Sequence, residues 1–286
     1  MKYSINYHRD FKYLQEVDEI IIGFKNRNVE IFDFIKTIPE EQRVILDTTK
    51  DENFVVANNL DIFAEIVKLH KNIAIKLPLY LKSEVVDLYE LNIPFFFDFF
   101  VDKWDTLMSL VNMNVSDVYI VNELGFELKD VSFICKENNV NIRVFPNVAQ
   151  LSSIADNLDT FKSFFIRPED VSIYEPYVDV FEFFGPADRQ SVLYEIYKSE
   201  KWLGDLRELI IGLEYSIFSK TIFPAFGEER VNCRKRCYQN KCIVCEKIQS
   251  IAKELREANL KIVREKEIKN EDKHEVVENT NENEAR

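Results

Sequence analysis

Short, nearly continuous apolar runs alternate with helix-period stretches along most of the chain. In order the runs are EIIIGF (19–24), RVILDT (43–48), NIAIKL (72–77), PFFFDF (94–99), DVYIVN (117–122), NIRVFP (141–146), SFFIRP (163–168) and VFEFFG (180–185). Each has strand length and is rich in β-branched or aromatic residues. Such runs suit parallel strands covered on both faces. Between them the period lengthens. LDIFAEIVKLHKN places Ile62, Ile66 and Leu69 on one stripe, and FELKDVSFICKENN does the same with Leu128, Val131 and Ile134. Run starts recur about every 22 to 29 residues, except the last pair at about 17. This is a βα repeat, and eight such units predict an α/β fold of (β/α)8 TIM-barrel type over residues 1–215. An open doubly wound sheet is the alternative, but it normally uses Gly-rich crossover turns. KYSINY (2–7) also reads as a strand, which makes nine candidates for eight places. Pro78, Pro146, Pro168 and Pro186 stand at or just past strand ends, where proline stops a central ladder and turns the chain into a rim loop.

After the barrel, KWLGDLRELIIGL reads as a helix. Residues 216–268 then form a cysteine-bearing loop and an amphipathic helix, with Ile248, Ile251, Ala252, Leu255 and Ile262 at helical spacing. The last stretch, 269–286, is polar and is expected to be disordered.

Composition narrows the function. The 286-residue chain has a formal net charge of −13, which disfavours generic nucleic-acid binding because phosphate contacts need a basic field. Only 6 glycines occur, and neither a dinucleotide fingerprint nor a P-loop is present. No apolar stretch approaches the length of about 18 residues that a membrane span needs. The start, MKYSINYHRDFKYLQ, lacks a signal-peptide apolar core, so a cytoplasmic location is expected. No Ser-His-Asp or Cys-His arrangement can be assembled, which disfavours conventional hydrolase triads.

Polar residues within or just after buried strands are costly unless they are used. Asp47, Lys76, Asp98, Arg167 and Glu182 are the candidate catalytic residues, and Asn122, Glu123, Asn147, Gln150 and Glu169 the candidate substrate-binding residues. Any one of them alone could simply cap a loop. Together, at one mouth of a barrel, they would bind a polar small molecule. Arg167 could clamp a carboxylate or phosphate. Glu182, inside VFEFFG, is the hardest to explain as structure and suits acid–base use.

Four of the five cysteines, Cys233, Cys237, Cys242 and Cys245, fall within NCRKRCYQNKCIVC. In a reducing compartment such clustering indicates a metal rather than disulfides. Cys242 and Cys245 have knuckle spacing, and the set completes either an iron–sulfur site, with 4Fe-4S as first choice, or a zinc site. Arg230, Arg234, Lys235, Arg236, Lys241 and Lys247 face only Glu246 in this segment, and a basic shell favours thiolates. Cys135, on a helix with Val131 and Ile134, reads as core.

Three stretches and the cysteine segment carry a resemblance. KYSINYHRDFKYLQEVDEIIIGF, YIVNELGFELKDVSFICKENNVNIRVFPNVAQ and FFIRPEDVSIYEPYVDVFEFFGPADRQSVLYEIYKSEKWLGDLRELI resemble the collagenase-like peptidase family, peptidase family U thirty-two. The resemblance implies a TIM-type barrel. Several members of that family are not proteases and carry an iron–sulfur cluster on cysteines, serving oxygen-independent hydroxylation of RNA bases or quinone precursors. On that basis Cys233, Cys237, Cys242 and Cys245 correspond to cluster ligands, although better-known members spread their cysteines more widely. The expectation is an iron–sulfur metalloenzyme performing a hydroxylation-type modification of a small-molecule or nucleotide-like substrate. The alternatives are a zinc-stapled, non-catalytic barrel serving as a binding or accessory subunit with a protein partner, and a peptidase.

Overall fold

Eight of the nine apolar segments carry strands, a ninth short strand follows PFFFDF directly, and all nine strands are parallel. The computed structural model describes residues 1–7, 13–24, 29–101, 103–120, 128–148, 166–202 and 209. The four-cysteine segment, the helix expected after it and the polar tail lie outside these residues. The strands are β1 (Lys2–Asn6), β2 (Glu19–Gly23), β3 (Arg43–Asp47), β4 (Ile73–Leu77), β5 (Phe95–Phe97), β6 (Phe100–Val101), β7 (Asp117–Ile120), β8 (Asn141–Val144) and β9 (Val180–Glu182). Between them run α1 (Val29–Ile35), α2 (Leu60–Leu69), α3 (Val86–Glu90), α4 (Trp104–Asn112), α5 (Leu128–Glu137), α6 (Val171–Tyr174) and α7 (Ala187–Ser199).

The sheet order is β5-β4-β3-β2-β1-β9-β8-β7-β6. Its two outer strands are successive pieces of one stretch of chain, parted only by Asp98 and Phe99. The Ser116 amide, just before β7, donates to the Phe95 carbonyl of β5 at 2.8 Å. The sheet is therefore curled into a barrel-like form.

This order settles which strand candidates belong to it. KYSINY is β1, wedged between β2 and β9. Of the run 163–168, the described residues 166–168 have no place in the ladder, where β8 pairs directly with β9. Of that run, Pro168 opens a 3-10 turn, Pro168–Asp170, rather than closing a strand. The prolines Pro78 and Pro186 do stand where strands give way to helical turns.

Strand residues sort by parity into two apolar layers. Ile20, Ile22, Val44, Leu46, Ile75 and Phe181 belong to a large outer core under the helices. Ile21, Ile45, Ala74, Phe96, Tyr119 and Phe145 form a smaller cluster on the opposite face of the sheet. Aromatic rings fill that inner space, with Tyr119 stacked on Phe145 at 5.3 Å between centroids.

The helices bury faces slightly rotated from the simple stripes. In α2 the buried residues are Phe63 and Ile66, while Leu69 is 36% exposed. In α5 they are Leu128, Val131, Ser132 and Cys135, with Ile134 only half-buried. Cys135 is core, its thiol pushed up to about 12 by burial and then by Asp179. His70 ends α2 turned inward, with Nε2 2.9 Å from the Gln42 carbonyl. The Gln42 amide in turn donates to the Leu14 and Val17 carbonyls at 2.7 and 2.6 Å.

The two-layer packing gives a direct test. Phe96→Ala empties the inner cluster and should lower unfolding free energy by about 3–5 kcal/mol in denaturant titrations. Phe133→Ala, on the exposed face of α5, should change it by less than about 0.5 kcal/mol. Equal effects would be incompatible with this layering.

Candidate functional site

The inner face of the sheet carries charge as well as rings. Arg43, Glu19 and Asp117 are the first residues of β3, β2 and β7. Arg43 forks onto Asp117, with Nη1–Oδ1 at 2.8 Å and Nη2–Oδ2 at 2.6 Å. Strands β3 and β7 are far apart in the sheet order, so this contact crosses the barrel interior. Arg43 also donates to Glu19 Oε1 at 3.2 Å and to Ser116 Oγ at 3.0 Å.

Arg143, in β8, links this group to the next. It is fully buried. Its Nη1 lies 2.7 Å from Glu19 Oε2 and 3.1 Å from Asp117 Oδ1. Its Nη2 donates to Ser4 Oγ at 2.9 Å and to Glu182 Oε2 at 3.1 Å, and its Nε reaches the same Glu182 oxygen at 3.2 Å. The Tyr119 hydroxyl completes the set by donating to Glu182 Oε2 at 2.7 Å. Burial, then Glu182, holds the Tyr119 phenol well above its usual pKa, so it stays a donor.

At the C-terminal ends of the strands stand Asp47, Lys76, Asp98 and Glu182. The Lys76 ammonium is 3.0 Å from Asp98 Oδ1 and 3.7 Å from Glu182 Oε1. It also sits 5.1 Å above the Tyr119 ring centroid, a cation–π distance. Burial alone would push its pKa down. The oxygens of Glu182, Tyr119, Asp98 and Asp47 outweigh that and hold it well above the usual lysine range. Asp47 is buried and accepts from the Thr49 amide and hydroxyl at 3.0 and 2.5 Å, both through Oδ1. Asp98 is the accessible member, with a side chain 37% exposed. Gly23, at the end of β2, has nothing within 4 Å of where a Cβ would lie.

Four of the sequence candidates thus converge: Asp47, Lys76, Asp98 and Glu182. Arg167 is not brought to them. It precedes the 3-10 turn, and its guanidinium is held by Asp170, Nε–Oδ2 2.9 Å and Nη2–Oδ1 2.7 Å. Glu169 accepts from the Trp202 amide at 3.3 Å, away from the ammonium. Asn147 clamps the chain after β9, donating to the Phe184 carbonyl at 2.8 Å and accepting from its amide at 3.0 Å. Asn122, Glu123, Gln150, Cys233, Cys237, Cys242 and Cys245 lie outside the described residues. Among the described residues, no group of three or more His, Cys, Asp or Glu is placed to hold a metal ion, and no helix is long and apolar enough to cross a membrane.

Sequence reasoning passed over Tyr119, Arg143, Ser4, Glu19, Asp117 and Arg43. The usable signal was parity. Asp117 and Tyr119, or Arg43 and Asp47, share a strand face, and Arg143 in NIRVFP is as costly to bury as Glu182 in VFEFFG.

No protein-family model matches the chain, and no curated protein matches it. A solved structure described as "Crystal structure of a dihydroorotase" is similar to it with a TM-score of 0.32 and 8% sequence identity, covering 63% of this chain and 59% of that one. The chain therefore spans less than two thirds of that structure's length.

Burial opposes ionisation of Asp117, but Arg43 and then Arg143 hold its carboxyl well below the usual range. Its folded pKa is thus below its unfolded value of about 4. The stability it contributes is present above that value and is lost as pH falls toward the folded one. Unfolding free energy should drop between about pH 5 and pH 2, and more shallowly in Asp117→Asn. Parallel pH profiles for the two proteins would show that the buried carboxyl is not ionised.

Proposed function

We propose that the chain is a (β/α)8 barrel enzyme whose reaction site is the C-terminal mouth. The observation that carries this reading is the buried Lys76 ammonium set against Asp98 and Glu182 at one end of the strands. Active sites of such barrels lie at this end, where charged side chains serve substrates rather than packing. Tyr119 and Arg143 occupy Glu182 Oε2, and Oε1 lies 3.7 Å from the Lys76 ammonium. Glu182 Oε1 and Asp98 are the proton acceptors of the site. Lys76, held protonated, donates to oxygen that gains negative charge during reaction. Asp47 adds an oriented acceptor.

The reaction class we assign is a redox, hydroxylation-type modification of a small-molecule or nucleotide-like substrate, as the resemblance to the collagenase-like peptidase family implies. Support for the redox component comes from the thiolate donor set of Cys233, Cys237, Cys242 and Cys245, which fits a soft metal. An iron–sulfur cluster held there would supply one-electron transfer. The mouth residues do the rest: they bind, orient and move protons.

Protein purified without oxygen should be brown and contain iron and acid-labile sulfide. Cys242→Ala should lose both while the barrel remains folded by circular dichroism. Colourless protein holding one zinc would replace the redox reading with a zinc-stapled binding subunit. Absence of both metals, with Cys242→Ala unchanged in every property, would remove the metal reading altogether.

A further inference from the structure

Inside the sheet, the described residues place Arg43 and Arg143 toward the N-terminal ends and Lys76 at the mouth, each against carboxylates. The residue types differ in what they can do. A guanidinium keeps its protons and forks onto carboxylates, which suits pairing alone. An amine can shed a proton and then form a bond to carbon. The amine stands at the end where barrel reactions take place.

Lys76 is built into the wall rather than draped over the rim. It lies within β4, and its carbonyl accepts from the Thr48 amide at 3.1 Å and the Thr48 hydroxyl at 2.9 Å. Its side chain is 7% exposed. The ammonium is 3.0 Å from Asp98 Oδ1, within range of direct proton transfer. Asp98 is the carboxylate that water reaches, so it can pass a proton on. Glu182, on another side of the amine, is held in place by Arg143 and Tyr119.

We infer that Lys76 is a nucleophile that condenses with an aldehyde or ketone and holds it at the mouth as an iminium ion. Asp98 takes a proton from Nζ. The freed lone pair forms a C–N bond to the carbonyl carbon, while the C=O π pair moves to oxygen. That oxygen takes up the two protons that the nitrogen gives up and leaves as water, as the C–O bond breaks and C=N forms. In sum, R–NH3⁺ and R′2C=O give R–NH⁺=CR′2 and H2O, with no oxidant or reductant. The iminium carries the same charge at the same place as the ammonium. The oxygens of Glu182, Tyr119, Asp98 and Asp47 that keep Lys76 protonated therefore favour the product as much as the starting group, and oppose only the brief neutral amine. Exclusion of water protects the iminium from hydrolysis. This activity goes beyond the redox reading and needs no metal.

The test uses the full chain, incubated with glycolaldehyde or hydroxyacetone and quenched with sodium borohydride, which reduces an iminium to a stable secondary amine. Peptide mass spectrometry then locates the adduct. Lys76 should be modified faster than Lys36 and Lys198, whose side chains are 52% exposed. A lysine that served structure alone, shielded and paired, would be among the slowest. Asp98→Asn should slow the Lys76 adduct by about a hundredfold, the scale of a lost proton acceptor. Asp98 is half-exposed, so its variant should fold, with thermal unfolding as the check. Modification confined to exposed lysines overturns the inference, and so does Lys76 modification no faster than theirs. An equal rate in Asp98→Asn overturns the proton transfer on which the inference rests.

Discussion

A guanidinium with no access to water sits inside the curled sheet, and most of the interior follows from the need to satisfy it. Arg143 carries five N–H donors and cannot shed its charge. It meets Glu19 of β2, Asp117 of β7, Glu182 of β9 and Ser4 of β1. Its own strand, β8, makes the fifth. A slip of one residue in any of these would turn the partner onto the outer face, among helix-packed aliphatic side chains. The arginine therefore constrains register across more than half of the sheet. Replacing such a network by apolar residues is often neutral or stabilising, so its value is better sought in specificity than in stability.

That constraint also shapes the mouth. Three donors converge on Glu182 Oε2, two from Arg143 and one from Tyr119. The carboxylate cannot rotate without losing them, which fixes Oε1 toward Lys76. Tyr119 connects the apolar plug to the charged rim: one face stacks on Phe145, the hydroxyl binds Glu182, and the Lys76 ammonium lies over the ring. Rigid support of this kind is what a site needs to hold reacting groups at fixed distances.

The strands and their parallel, both-faces-buried character were legible in the apolar runs, because burial on two faces removes polar alternation. Glu182, Lys76, Asp98 and Asp47 were legible as polar interruptions at run ends. What single runs could not reveal was pairing across the interior. Arg43 and Asp117 are separated in sequence by 74 residues and meet only because the sheet curls. Arg167 looked available in the sequence, yet Asp170, a near neighbour, takes its Nε and Nη2. Asn147 looked like a ligand donor, but it completes the backbone hydrogen bonding of Phe184 where the ladder ends. Both are local satisfactions of buried polar groups, the outcome to be expected when no partner across the interior is within reach.

The two ends of the interior answer different physical demands. At the N-terminal end each cation has a carboxylate in direct contact, and Arg143 extends the group to Glu182 at the other. Among the described residues the mouth gathers Asp47, Asp98 and Glu182 around Lys76, with Glu182 held from its other side by Arg143 and Asp98 open to solvent. What distinguishes the open end is position: Glu182 is fixed between Lys76 and Arg143, while the Asp98 carboxylate paired to the same lysine is the one that water reaches.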